Sequence, residues 1–205
     1  METDADQDLL LKKGGTGFPY LAALDADGNV LAKLPRVART TANFQKMMEQ
    51  ARATKTELVK LTKKAKAGDQ AAKIALFAKR LELSYLSAKE AKAAFADLKG
   101  LTDEQRKDFT AKLTSLEVGS ILSAVQGKED YAAAGAQLAA MAKAGRIPTA
   151  RGEKINFWYL ISVHAEEAKD AKLYGKAFQV LKAAEGIRPA FIEKMRTTLK
   201  RLKAK

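Results

Sequence analysis

The chain has 205 residues, 47% of them apolar and 30% charged, and 37 basic residues outweigh 24 acidic ones to give a net charge of +13. That size and balance suit one globular domain or two small ones with a real apolar core. With no cysteine and one histidine, disulfides, thiolate zinc sites and a dithiol redox centre are excluded, and histidine-based triads and clustered metal sites lose their donors. No cofactor and no catalytic residue is expected.

No apolar run approaches the roughly 18 residues that cross a bilayer, so no membrane span is expected. The start, Met1-Glu2-Thr3-Asp4-Ala5-Asp6, is acidic where a signal peptide is basic. No signal peptide is therefore expected in this chain, and composition leaves the compartment open. Residues 1–40 carry five basic and six acidic groups, so the other 32 basic and 18 acidic groups place the excess charge beyond residue 40. A balance of that kind attracts polyanions or acidic proteins in a salt-dependent way.

In chain order, Leu9-Leu10-Leu11 followed by Lys12-Lys13 and Gly14-Gly15 reads as a short helix over residues 7–13 stopped by glycine. Phe18 to Leu24 is apolar, Asp25-Ala26-Asp27-Gly28-Asn29 tolerates a left-handed turn, and Val30 to Leu34 resumes the extended pattern. This predicts a β-hairpin over about 18–34. The aspartates superficially suggest a calcium loop, but glycine comes too early and the closing glutamate is missing.

From Thr40 onward alanine, leucine and lysine dominate and strand signals vanish. One long helix is expected from about Ala42 to Ala67 before Gly68, and a second from Asp69 to about Leu86. Ser87-x-x-Glu90 and Thr102-x-x-Gln105 fit the capping box and start a third and a fourth, the latter reaching Val125 or Gln126. A fifth covers Asp130–Ala144, and a sixth centres on Phe157-Trp158-Tyr159-Leu160. A seventh runs from Leu173 to Glu185, and the last begins at Pro189, a residue suited to a first helical position, and runs to about Lys203. The fold class is thus mainly α with a small β-hairpin, its roughly eight helices arranged as helical hairpins or a bundle.

The segment Gly17-Phe18-Pro19, an apolar strand, Asp27-Gly28 and a second strand resembles the closing hairpin of a thioredoxin-like domain. The helix from about 42 stands where that family places its final helix. The domain reading is therefore a partial thioredoxin-like segment over 1–52 and a basic α-helical region over 53–205. The resemblance implies a cis peptide bond before Pro19 and a peptide contact at Gly17, Phe18 and Pro19. It also marks what is missing, since the Cys-x-x-Cys half is absent and thiolate attack requires sulfur. Tyr131, Ala134, Leu138 and Met141 lie over Tyr174, Ala177, Leu181 and Ala184 at one constant offset. Both stretches resemble the second helix of a tetratricopeptide hairpin, although the offset exceeds the usual period of about 34 residues.

A lone hairpin is marginal in water, so either the helices cover it or a second copy pairs with its edge in a homodimer. Lys60, Lys63 and Lys64, and separately Arg196, Lys200 and Arg201, are the candidate polyanion contacts. No aromatic is interleaved with them, so solvated helix faces are favoured and nucleic acid is not the expected partner. His164, and the run Phe157, Trp158, Leu160 and Ile161, read as packed core residues. The functional expectation is a non-catalytic protein-binding or scaffolding chain with a protein or peptide partner. The alternatives are an incomplete thiol-disulfide oxidoreductase whose redox motif lies upstream of Met1, and polyanion binding through basic helices. Relatives by this resemblance are often exported in bacteria, which does not decide where this chain resides.

Overall fold

An apolar stretch, a turn that tolerates positive φ and a second apolar stretch produce the only paired strands among the described residues. The structure, a computed structural model, describes residues 13, 19–35 and 37–204. Strand β1 (Ala22–Leu24) pairs antiparallel with β2 (Val30–Lys33), Ala23 opposite Ala32, with an irregularity between Ala23 and Leu24. The ladder is shorter than the expected span of 18–34. One further bond, Leu34 N–H to Leu21 O at 2.9 Å, extends it, and Pro19 has no N–H with which to continue. The expected helix over residues 7–13 lies outside the described residues, apart from Lys13.

Helix α1 (Thr41–Lys66) begins where the Thr40 hydroxyl accepts the Asn43 N–H. It ends at Gly68, whose φ of +95° lets Gly68 N–H return to Ala65 O and Asp69 N–H to Lys64 O. The Asp69 carboxylate then accepts the Ala72 N–H at 3.0 Å and starts α2 (Gln70–Glu82). That helix stops short of Leu86 because Ser84 takes φ +59° and Tyr85 N–H returns to Arg80 O, the same kind of stop without a glycine to announce it. Both capping boxes form. Ser87 and Glu90 start α3 (Ala88–Ala96), and Thr102 and Gln105 exchange bonds of 3.0 and 3.1 Å at the start of α4 (Asp103–Ser123).

A single 3-10 turn, Lys128–Asp130, precedes α5 (Tyr131–Lys143). Helices α6 (Arg151–Glu167), α7 (Ala171–Ala183) and α8 (Pro189–Lys203) complete the chain. The fold is therefore mainly α, with eight α-helices and one small antiparallel hairpin among the described residues. No helix among them is long and apolar enough to cross a membrane. Contacts group the chain into two units, residues 1–106 and 107–205. Helix α1 runs unbroken across residue 52, where the sequence reading places its domain boundary.

In the first unit α1 covers the hairpin. Leu31 and Ala32 are buried with Met47 and Ala51, and Phe44 and Leu58 pack around them. Of the two covers that the sequence left open, a helical one is present. Helix α2 doubles back on α1, Lys79 pairs with both Glu57 and Glu82 at 3.4 Å, and the Phe77 ring stacks on Phe95 of α3.

In the second unit α5 packs on α6, α6 on α7 and α7 on α8, in chain order. Leu138, Met141, Phe157, Trp158, Ile161, Tyr174 and Leu181 form its core. The two stripes matched from sequence fall inside that core or against it, except for Ala184, which lies just past the end of α7. At Gly135 the backbones of α5 and α6 come so close that a Cβ would stand 2.2 Å from Leu160 O and 2.7 Å from the Cβ of His164.

Gly135→Ala should therefore force α5 off α6 and lower the unfolding free energy by about 1–3 kcal/mol. On α4 Gly119 faces open space, and Gly119→Ala should instead stabilise by about 0.5–1 kcal/mol. Urea unfolding of the full chain followed by circular dichroism separates the two signs.

Candidate functional site

The hairpin is the first candidate. Gly17, Phe18 and the peptide bond joining Phe18 to Pro19 lie outside the described residues, and Pro19 is exposed. At the turn the Asp25 carboxylate is engaged by its own loop. It accepts the backbone N–H groups of Asp27 (3.0 Å) and Asn29 (2.8 Å) and the Asn29 side-chain amide (3.1 Å). Gly28, at φ +76°, closes the turn through its N–H to Asp25 O at 3.1 Å. Partial burial pushes the Asp25 carboxyl upward, but the bonds from Asn29 and Asp27 and the charge of Lys55 outweigh it and hold the group below its ordinary range. The loop is built as a turn.

The two basic clusters belong to different units. Lys60, Lys63 and Lys64 are exposed along the last turns of α1, where cations complement the carbonyl end of the helix. On α8 Arg196 pairs with Glu193 and Arg201 with Glu166, while Lys200 is exposed. Lys63, Lys64, Arg196 and Arg201 thus either have their charge countered or sit at a helix end that accommodates it.

The aromatic run on α6 is core. Phe157, Trp158, Leu160 and Ile161 are all buried, and the Phe157 and Trp158 rings meet edge-on at 5.6 Å. His164 sits half-buried where α6 crosses Gly135. Among the described residues no three His, Asp or Glu side chains are grouped as metal ligands.

Sequence reasoning missed an open groove in the second unit. At one end of the second unit two adjoining cavities of about 640 and 470 Å³ share Ile155 of α6 and Leu181 of α7 as their floor. Val180 lines the first, and Tyr159 and Phe191 line the second, all packed against the buried core. Lys154, Arg188 and Lys194 stand around this groove. The carboxylate on its wall, Glu185, is taken by Arg151, which donates to the Glu185 backbone carbonyl at 2.6 Å and pairs with its side chain at 3.5 Å. Neither Ala150 nor Arg188, the residues preceding α6 and α8, supplies a side-chain cap. The amides opening those helices add positive potential to the basic side chains.

In sequence, Ile155, Leu181 and Phe191 look like any apolar helix positions, and Lys154, Arg188 and Lys194 like solvated charges. The local feature that the sequence offered was a helix start without a capping side chain, at Ala150-Arg151 and again at Arg188-Pro189, and it recurs at the start of α5.

For the hairpin, the sign of the pH effect follows from the depressed carboxyl. Its contribution is present above the ordinary aspartate range and is lost as pH falls through the lowered folded-state value. Asp25→Ala should weaken the turn by about 1 kcal/mol at neutral pH and remove that acid-sensitive component, since hydrogen bonds to a partly exposed carboxylate are of this order. Amide exchange at Gly28 and Asn29, followed against pH in both proteins, reports it.

Compared with protein-family models, with curated proteins and with solved structures, the chain has no match in any of the three.

Proposed function

We propose that this chain acts in protein binding or scaffolding without catalysis, and that its second unit supplies the binding surface. The observation that carries this reading is the groove at the end of the α5–α8 array. Helices that each pack mainly on the next leave their outer faces and ends open to a partner. A floor continuous with the core offers apolar contact there, and charged side chains offer orientation, the pairing of features used by peptide-binding surfaces. The chain-order packing of α5 to α8 and the buried stripes on α5 and α7 support a tetratricopeptide-like arrangement of helical hairpins.

The order strand, Asp-Gly turn, strand and covering helix supports reading the hairpin and α1 as the closing piece of a thioredoxin-like domain. The same observation favours one second reading, an incomplete thiol-disulfide oxidoreductase. In-frame coding sequence upstream of Met1 separates the two: a strand followed by Cys-x-x-Cys supports the enzyme, and a stop codon removes it.

Selection of a displayed random-peptide library on the full chain tests binding itself. Enriched peptides should bind with micromolar or tighter affinity and should protect amides of α6, α7 and α8 from exchange. A library from which nothing is enriched would remove the protein-binding reading.

A further inference from the structure

We propose that the groove of the second unit takes an acidic peptide segment carrying an apolar anchor side chain. This rests on the protein-binding reading above and names the partner class of the same site. Lys154, Arg188 and Lys194 surround the two cavities, and among the described residues none of the three has a carboxylate within ion-pair distance. Other cations of this unit are also without an ion-pair partner among the described residues, Lys143, Lys172 and Lys182 for example, and what sets these three apart is that they border an apolar depression. Glu185 is the one carboxylate among the residues that line the two cavities and pairs with Arg151 at 3.5 Å, so Lys154, Arg188 and Lys194 leave the lining with an excess of positive charge. Three cations around a shared depression form a surface complementary to a segment rich in aspartate and glutamate.

The floor supplies the second half. Leu181 is 1% exposed and belongs to the core, while Ile155 and Phe191 pack against that core and line the open side. An apolar side chain placed over Ile155 extends the hydrophobic core outward, and that burial gives affinity to a contact that charge alone would leave weak. This apolar floor favours a peptide over nucleic acid. Single strands are gripped by cations interleaved with aromatic platforms, whereas the Tyr159 and Phe191 rings meet at a tilt of 54° with centres 6.0 Å apart and help join α6 to α8.

The library selection gives the test its probe. Peptides enriched on the full chain should be acidic and should contain leucine, isoleucine or phenylalanine. Combining Arg188→Ser with Lys194→Gln should weaken those peptides about tenfold or more in fluorescence anisotropy. Serine at the position preceding α8 supplies the side-chain cap that arginine lacks, so the same variant should melt no lower than the parent, which separates lost binding from lost folding. Lys60→Gln with Lys63→Gln removes two lysines on α1 and should change affinity by no more than about twofold.

Neutral or basic enriched peptides would overturn the inference while leaving protein binding intact. So would equal weakening by the two double variants, or an oligothymidylate that displaces the peptide at equal affinity. The absence of any enriched peptide would instead remove the reading on which the inference rests.

Discussion

The close crossing of α5 and α6 at Gly135 is the constraint on which the second unit depends. Two helices can approach to that distance only where one of them presents no side chain, and the neighbouring Ala134 is small enough to be buried beside it. Helix α6 is then free to send Phe157, Trp158, Leu160 and Ile161 into the interior around it, toward α5 on one side and α7 on the other. Because α6 is shared by both neighbours, its register sets where α7 lies and, through α7, where α8 lies. The groove is a consequence of that chain of contacts. Ile155 stands near the start of α6, Leu181 on the last turn of α7 and Phe191 on the first turn of α8, so the three meet only if each packing angle is kept.

The first unit solves a different problem. Two short strands expose about as much apolar surface as they can bury, and an isolated hairpin of that size is marginal. Here α1 supplies the cover through Phe44, Met47, Ala51 and Leu58, and the turn is held by a carboxylate whose acceptor capacity is directed to its own loop. Local hydrogen bonding thus sets where the chain reverses, and burial against a helix keeps the reversed strands together. The Lys79 ion pairs with Glu57 and Glu82 lie at the α1–α2 contact and add little by comparison, since partly exposed pairs are worth at most about 1 kcal/mol.

Charge is arranged differently from hydrophobicity. The excess of basic residues is spread over the helices, and many of these cations either face solvent at the end of a helix or meet a glutamate, as Arg146, Arg196 and Arg201 do. Where cations gather around apolar surface with no ion-pair partner among the described residues, as at Lys154, Arg188 and Lys194, they create a local field that net charge alone does not describe. A net positive charge attracts anions in general, without choosing among them. In the proposed binding mode, the apolar floor of the groove narrows that attraction to partners that also bring a side chain to bury.

Much of the architecture was legible in the residues, because the signals that start and stop helices act over three or four positions. Thr40, Asp69, Ser87 and Thr102 each satisfy the first free amides of the helix they precede, and Gly68 marks a stop that its neighbours cannot supply. Where a stop was made by a residue with no special preference for positive φ, as at Ser84, the end of the helix was not legible. The apolar stripes on α5 and α7 were visible as spacing, and their burial follows from it. Which helix meets which, the closeness of the crossing at Gly135 and the gathering of Lys154, Arg188 and Lys194 around Ile155 and Leu181 were decided only in three dimensions. Packing and the field of distant charges join residues far apart along the chain, and no short-range pattern records that they will become neighbours.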